Sequence, residues 1–406
     1  MTIVTKSSTT LALHGGEPVR STPLPVRQAV GANEIQLLHE MLAYYQARDE
    51  DPPYQGEFEA RYTRAFVEYM GGGYADAVAT GTISLFVALA ALNLPKNSEV
   101  LVSPITDPGT LSAIILCGLT PKIIDSQPHS FNVGPEQVKA RISKQTSCAL
   151  IVHAAGQATP IQEIVEVCKA GQISVLEDCS QAHGAEYRGK KVGTFGDIAA
   201  FSTMYRKASI TGSTGGVVYT KNEELYFQTL AHADRGKPRW LKGFDDRDPN
   251  QFLFPALNLH ANEFGCAIGL ASFARLDETK KRRLNFINKI SAALIAESKV
   301  CLPYDYSEAD SPFYYPIFVD SARIRCSKRE FAEAVRAEGI GLNPHYQYLV
   351  ADWPWIQKYL ADNFSSPNAR MARDNCFCLY VNENYGEQEV KDVLTAILKV
   401  EHYFLK

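Results

Sequence analysis

From about residue 75 onward, short apolar runs alternate with stretches whose apolar residues recur at helical spacing. The runs at 75–79, 99–103, 121–125, 148–153, 173–176, 198–202 and 216–220 have the length and composition of buried strands. Helical patterns at 84–92, 109–117, 134–142 and 161–170 separate most of them. This succession predicts an α/β architecture: a mainly parallel seven-stranded sheet, doubly wound, with helices on both faces. Two amphipathic helices precede it. One, at 33–48, carries Ile35, Leu37, Leu38, Met41 and Leu42; the other, at 57–70, carries Phe58, Tyr62, Ala65, Phe66 and Tyr69, and Gly71-Gly72-Gly73 breaks it.

The two ends of the chain differ from this middle. Residues 1–30 are polar, then rich in Gly and Pro, and read as an arm lying over the body or a partner. Beyond residue 258 the pattern predicts one long helix at 263–288, a strand at 313–319 and helices at 328–338 and 387–399. The expected division is therefore an arm (1–30), a large domain (31–260) and a smaller α+β domain with its linking helix (261–406).

Composition narrows the functional classes. The chain has 406 residues, 46% hydrophobic and 21% charged, as in ordinary globular proteins. A formal net charge of −4 gives no electrostatic footprint for nucleic acid or an anionic membrane. No apolar run reaches the roughly 18–20 residues of a membrane span. The first residues lack the basic-then-apolar pattern of a secretion signal. Nine cysteines without a C-x-x-C pair read as thiols in a reducing cytoplasm, neither a disulfide framework nor a metal site.

In open α/β sheets, ligands sit beyond the carboxyl ends of the strands, and the residues with chemical potential fall there. The run at 173–176 ends in Glu177-Asp178. The next strand ends in Ser202, and Lys207 follows on the turn. A carboxylate, a hydroxyl and an amine in that order suit a cofactor with a ring nitrogen, a phosphate and an aldehyde, the handles of pyridoxal 5′-phosphate. Burial lowers the pKa of a lysine amine and makes it a nucleophile, although most lysines are solvated surface charges. Asp178 beside a protonated pyridine would keep the ring cationic; the alternative is a helix cap or a structural ion pair. Thr80-Gly81-Thr82, opening a helix, offers amides and a hydroxyl to a dianion, and Thr80 equally suits an N-cap. Gln181 and His183 share the turn after Asp178, within reach of a ring hydroxyl or of loop partners.

Several motifs together resemble the DegT/StrS group of fold-type I pyridoxal-phosphate aminotransferases, which aminate keto-sugar nucleotides and keto-cyclitols. They are LALHGGEPVRSTPLP, ATGTISLFVALAAL, EDCSQAHGAEYRGKKVGTFGDIAAFSTMYRK and LNLHANEFGCAIGLASFARLD. The resemblance implies the fold-type I transferase fold. It implies that Lys207 condenses with the cofactor and shuttles the substrate proton, that Asp178 pairs with the ring nitrogen, and that Gln181 lies by the ring hydroxyl. Gly81, Thr82 and Ser202 would hold the phosphate, and Asn258 would reach the phosphate of a neighbouring subunit, so a homodimer with shared sites is implied. Glutamate or glutamine is the implied amino donor. A cousin group of dehydratases has histidine where this chain has Lys207.

The chain departs from that family at three places. In SPITDPGTLSA, Asp107 stands near the position of the family's ring-stacking aromatic, which makes it a candidate substrate contact along with His183 and His260. His260 replaces an arginine two residues after Asn258, and Ser213 and Thr214 replace a glycine and glutamate. The aromatic segment NPHYQYLVADWPW either lines the substrate mouth or packs the small domain. The expected reaction is transamination from an amino acid to a keto group of a sugar, cyclitol or related metabolite. The rivals are elimination with the same cofactor and a catalytically silent cofactor-binding regulator.

Overall fold

The computed structural model describes residues 10–406; residues 1–9 of the expected arm lie outside them. Helices α1 (Ala32–Gln46) and α2 (Glu57–Met70) come first, and Gly71, at φ 82°, ends α2 in the left-handed conformation that glycine accepts without strain. Next come β1 (Tyr74–Val78), α3 (Gly81–Ala91), β2 (Glu99–Val102), α4 (Pro108–Leu116), β3 (Thr120–Ile123), α5 (Pro135–Lys139), β4 (Thr146–Val152), α6 (Ile161–Ala170) and β5 (Ser174–Asp178). A small hairpin, β6 (Glu186–Tyr187) with β7 (Lys190–Lys191), precedes β8 (Ile198–Ser202), β9 (Gly216–Thr220) and α7 (Glu223–Ala233).

The large sheet has the order β1-β9-β8-β5-β4-β2-β3. All its strands run in one direction except β9, which is antiparallel to both neighbours. The seven strands are those the apolar runs predict. Side chains alternate across the sheet, so Val100, Val102, Leu150 and Val152 enter one core. Leu101, Ala149 and Ile151 face the opposite side with α6, and Ala199, Phe201, Val217 and Tyr219 meet α2 there. Burial on both faces explains why these strands read as continuous apolar runs.

The single helix expected at 263–288 is two helices, α8 (Glu263–Ala274) and α9 (Leu276–Glu297). Arg275, at φ −105° and ψ 11°, leaves helical geometry between them, and its guanidinium is tied to Glu34 and to Ala29 O. Leu276-Asp277-Glu278 starts a fresh helix with acids in its first turn. One displaced residue is invisible to periodicity, yet it sends α8 against α1 and α2 and α9 to the second sheet.

That second sheet is antiparallel: β10 (Cys301–Pro303), β11 (Tyr314–Val319), β13 (Cys376–Tyr380) and β12 (Leu342–Asn343), in that spatial order. Helices α10 (Lys328–Ala337), α11 (Pro367–Asp374) and α12 (Glu387–Phe404) complete the chain. The aromatic segment after β12 runs back to the large sheet. Val350 N donates to Pro104 O (2.9 Å), and Leu349, Val350 and Ile356 are buried in the large-sheet core.

The entry to α2 is fixed from a distance. Glu263, in the first turn of α8, accepts from Phe58 N (2.9 Å), Glu59 N (2.7 Å) and Tyr45 Oη (2.5 Å). One carboxylate thus satisfies two of the otherwise unpaired amides at the α2 N-terminus. Glu263→Ala strands three donors and should cost roughly 3 kcal/mol, with Glu263→Gln retaining part of it. Urea unfolding followed by far-UV circular dichroism reads this; equal midpoints for Ala and wild type would refute the cap.

Candidate active site

Since β2, β4, β5 and β8 are parallel, their carboxyl ends share one edge of the sheet. Asp178 ends β5 and Ser202 ends β8. The N-termini of α3 and α4 open beside them, and the turn 203–215 carries Lys207 between β8 and β9.

Lys207 is buried, with its ammonium 4.3 Å from the centroid of the Phe313 ring. Burial lowers its pKa to about 8, while the negative charges of Asp178 and Asp107 pull the other way. The turn is braced from within. Lys207 N donates to Met204 O (2.9 Å) and Thr211 N to Thr203 O (2.8 Å), and the hydroxyls of Thr203 and Thr211 are 2.6 Å apart.

Asp178 is buried too, and burial pushes its carboxyl above the usual range, opposed by bonds from Ser180 and by the charge of Lys207. Ser180 N donates to its Oδ1 at 3.0 Å. The strand end is rigid because Glu177, on the opposite face, accepts from Gly193 N (2.7 Å), Phe195 N (2.8 Å), Gly196 N (2.7 Å) and His153 Nε2 (3.0 Å). His153 Nδ1 accepts from Thr159 N (3.1 Å), which leaves the ring proton on Nε2 for Glu177.

Gln181 is oriented by one end of its amide: Oε1 accepts from Ala155 N (2.8 Å), so the NH₂ end is the donor left for a ligand. Ala155 sits at φ 61°, a strained conformation for a side-chain-bearing residue, at the end of β4. His183 is buried, its Nε2 has no hydrogen-bond partner among the described residues, and burial with the charge of Lys207 lowers its pKa to about 3. It is a neutral imidazole at any ordinary pH.

The α3 N-terminus forms a cradle. Thr80 Oγ1 accepts from Ile83 N (3.0 Å) and Thr80 O from Ser84 N (2.9 Å), which leaves the Gly81 and Thr82 amides as helix-end donors. A Cβ on Gly81 would lie 2.6 Å from Ser202 Oγ, so only glycine lets that hydroxyl come against the helix end. A Cβ on Gly109 would likewise strike Thr82 Oγ1 at 2.3 Å, and the α3 and α4 termini meet there.

Asp107 caps α4, its Oδ1 accepting from Gly109 N (2.8 Å), and its charge reaches Lys207 and Asp178. His260 is not gathered into this group. Its Nε2 lies 3.2 Å from Asp234 Oδ2, and its ring stacks on Tyr54 with centroids 4.9 Å apart. Burial notwithstanding, bonds from His260, Arg235 and Arg239 hold the Asp234 carboxyl well below the usual range. Asn258 is exposed on the segment leading to His260, bridged to Asp234. Sequence reasoning missed Phe313, Ala155 and Arg27, which donates to Tyr205 O and Ala208 O on either side of Lys207. Only Ala154-Ala155-Gly156, small residues after a strand, carried a readable signal.

Comparison with known proteins places the fold in a family. The model of the DegT/DnrJ/EryC1/StrS aminotransferase family matches residues 38–398. The chain is 34% identical over 226 residues to GDP-perosamine synthase of Caulobacter vibrioides, a match spanning 55% of this chain and 58% of that enzyme. It is 32% identical over 297 residues to the L-glutamine:2-deoxy-scyllo-inosose aminotransferase of Micromonospora echinospora, covering 71% and 68% of the two chains. Its fold matches that of an E. coli GDP-4-keto-6-deoxy-D-mannose-3-dehydratase solved with bound hydrated PLP, with TM-score 0.82, 22% identity and 92% and 98% coverage. With the family pattern running through nearly the whole of this fold, the chain belongs to the DegT/DnrJ/EryC1/StrS aminotransferase family.

Proposed function

We propose that this chain is a pyridoxal-phosphate-dependent aminotransferase acting between an amino acid, glutamate or glutamine, and a keto group of a sugar, cyclitol or related polyol. Sugar or specialised-metabolite biosynthesis is the setting, and the acceptor class follows the relatives. The observation that carries the reading is Lys207, a buried amine with its pKa lowered to about 8, at the same sheet edge as the buried carboxylate of Asp178.

The residues suit the cofactor. Asp178 is a buried acid that burial disfavours as an anion, so a protonated ring nitrogen is a fitting counter-ion. Gly81 and Thr82 amides with the Ser202 hydroxyl offer donors to the phosphate at a helix N-terminus. The Gln181 NH₂ and the partnerless His183 Nε2 offer bonds to ring substituents. When bound, pyridoxal phosphate supplies an aldehyde that condenses with amines and a cationic ring that withdraws electrons from the carbon being deprotonated. Lys207 would take the proton from that carbon and return it two atoms along, to the carbon that comes from the aldehyde, a task suited to an amine titrating near working pH. Asp178 would keep the ring nitrogen protonated throughout. Asp107, at the α4 N-terminus, is our candidate for contact with acceptor hydroxyls, a contact between acid and polyol.

A homodimer in the cytoplasm completes the proposal. The exposure of Asn258 together with Leu253, Leu257 and Phe264 supports a second copy at that face. All nine cysteines are free thiols, and no helix among the described residues is long and apolar enough to cross a membrane. The rival outcome, elimination, is disfavoured by the family resemblance, which implies histidine in the dehydratase group where this chain has Lys207.

The decisive assay supplies glutamine or glutamate and cofactor without an acceptor. Transamination converts donor to keto acid once per site and stops; keto-sugars or keto-cyclitols then restart it. Continuous turnover without acceptor, or none, would refute the reading. Lys207→Ala should abolish turnover, and Asp178→Asn should slow the donor half-reaction roughly 10- to 100-fold, the kinetic equivalent of a charge-assisted bond worth about 1.5–3 kcal/mol.

The lowered amine pKa has its own signature. At pH 8 about half of Lys207 is neutral, against roughly 0.3% for a lysine at the unperturbed value. Labelling of the cofactor-free protein by a small amine reagent should therefore rise at Lys207 with a midpoint near 8. Asp178→Asn removes a charge that raises this pKa, so the midpoint should fall. Peptide mass analysis across a pH series checks both, and a midpoint at the value of the surface lysines would contradict the burial argument.

A further inference from the structure

Two arginines converge on one carboxylate beside the lysine turn. The N-terminal arm passes over the loop after β13, where Asn382 Nδ2 donates to Pro25 O (3.0 Å) and Asn384 Nδ2 to Val26 O (3.1 Å). The next residue, Arg27, places Nε on Glu383 Oε1 (2.7 Å). Its two terminal nitrogens reach the lysine turn: Nη1 donates to Tyr205 O (3.0 Å) and Nη2 to Ala208 O (3.3 Å). Those carbonyls bracket Arg206 and Lys207.

The other oxygen of Glu383 takes Arg283 Nη2 (2.9 Å). Arg283 is fully buried, and its Nη1 donates to Pro312 O (3.3 Å), next to the Phe313 ring that the Lys207 amine faces. Both walls around the amine, the turn that carries it and the ring opposite, are therefore linked through Glu383. Bonds inside the turn fix its shape, and Ile210 N to Ser272 Oγ (3.0 Å) and Thr214 Oγ1 to Ala79 O (2.9 Å) seat its far half on the body. The Arg27 fork holds the half that carries Lys207, and only a planar guanidinium can hold the carboxylate with one nitrogen and both carbonyls with the others.

We infer that Arg27 is a positioning residue for Lys207: anchored on Glu383, it sets the amine in the orientation needed to condense with the cofactor aldehyde. This rests on the pyridoxal-phosphate reading above. In the condensation the Lys207 nitrogen bonds to the aldehyde carbon and the aldehyde oxygen leaves as water. The rate depends on approach geometry, where a displacement of about 1 Å costs up to roughly 100-fold.

The test mixes the cofactor-free full chain with pyridoxal phosphate. It follows the growth of visible absorbance, then traps the link with borohydride and locates it by mass at Lys207. Wild type must form the link; if it does not, the cofactor reading fails and not this inference. Arg27→Ala should form it roughly tenfold or more slowly, with Arg27→Lys between the two. Arg20→Ala is the control. Arg20 holds the same arm on α12 through Asp392 (2.7 Å) and Glu389 (3.2 Å), and none of its contacts is with the lysine turn. It should stay within about twofold of wild type in the link-formation rate. Wild-type rates in Arg27→Ala, or equal slowing in Arg20→Ala, would overturn the inference. Should Arg27→Ala fail to fold, Arg27→Lys and Glu383→Gln carry the comparison, both slowed if the clamp positions the amine and both unaffected if it does not.

Discussion

A positive and a negative group share a water-poor pocket here without neutralising each other. Lys207 loses part of its proton affinity to burial, and the Asp178 carboxyl is displaced the opposite way by the same cause. Each is left short of a partner, which is costly for a folded chain and is retained where chemistry uses it. On the proposed function, a bound pyridoxal ring, cationic at its nitrogen and electrophilic at its aldehyde, would relieve both deficits together. Most of the surrounding architecture serves to keep these two groups apart, dry and aimed.

Strand alternation does much of this. Glu177 and Asp178 are adjacent acids on one strand, so they point to opposite faces. Glu177 collects three loop amides and the His153 imidazole behind the sheet and locks the strand end. Asp178 faces the cleft with far fewer bonds. Two identical functional groups one residue apart thus become a rivet and a reagent.

Much of this was legible in the sequence because it is local. Strands buried on both faces write themselves as apolar runs, and acids, hydroxyls and glycines at their ends stand out against that background. What was not legible depends on contacts between distant residues. Arg27 and Ala208 are 181 positions apart, and no periodicity links them. Phe313 reads as one more core aromatic until the fold sets it against an amine. The break at Arg275 is one residue of altered torsion inside an unbroken helical pattern. Strands β10 and β12 are too short to carry an alternation signal. His260 lies beside Asp234 and stacks on Tyr54, neighbours that only tertiary structure supplies.

The one reversed strand has a topological consequence. Parallel neighbours need a crossover, almost always a helix laid across the sheet. Because β9 turns back beside β8, the chain joins them through the lysine turn alone. That corner of the sheet is therefore roofed by no crossover of its own, and the roof is borrowed from far along the polypeptide: the arm, the loop after β13 and the Phe313 wall. A roof assembled from segments distant in sequence can vary among descendants of one scaffold while the floor beneath it stays fixed.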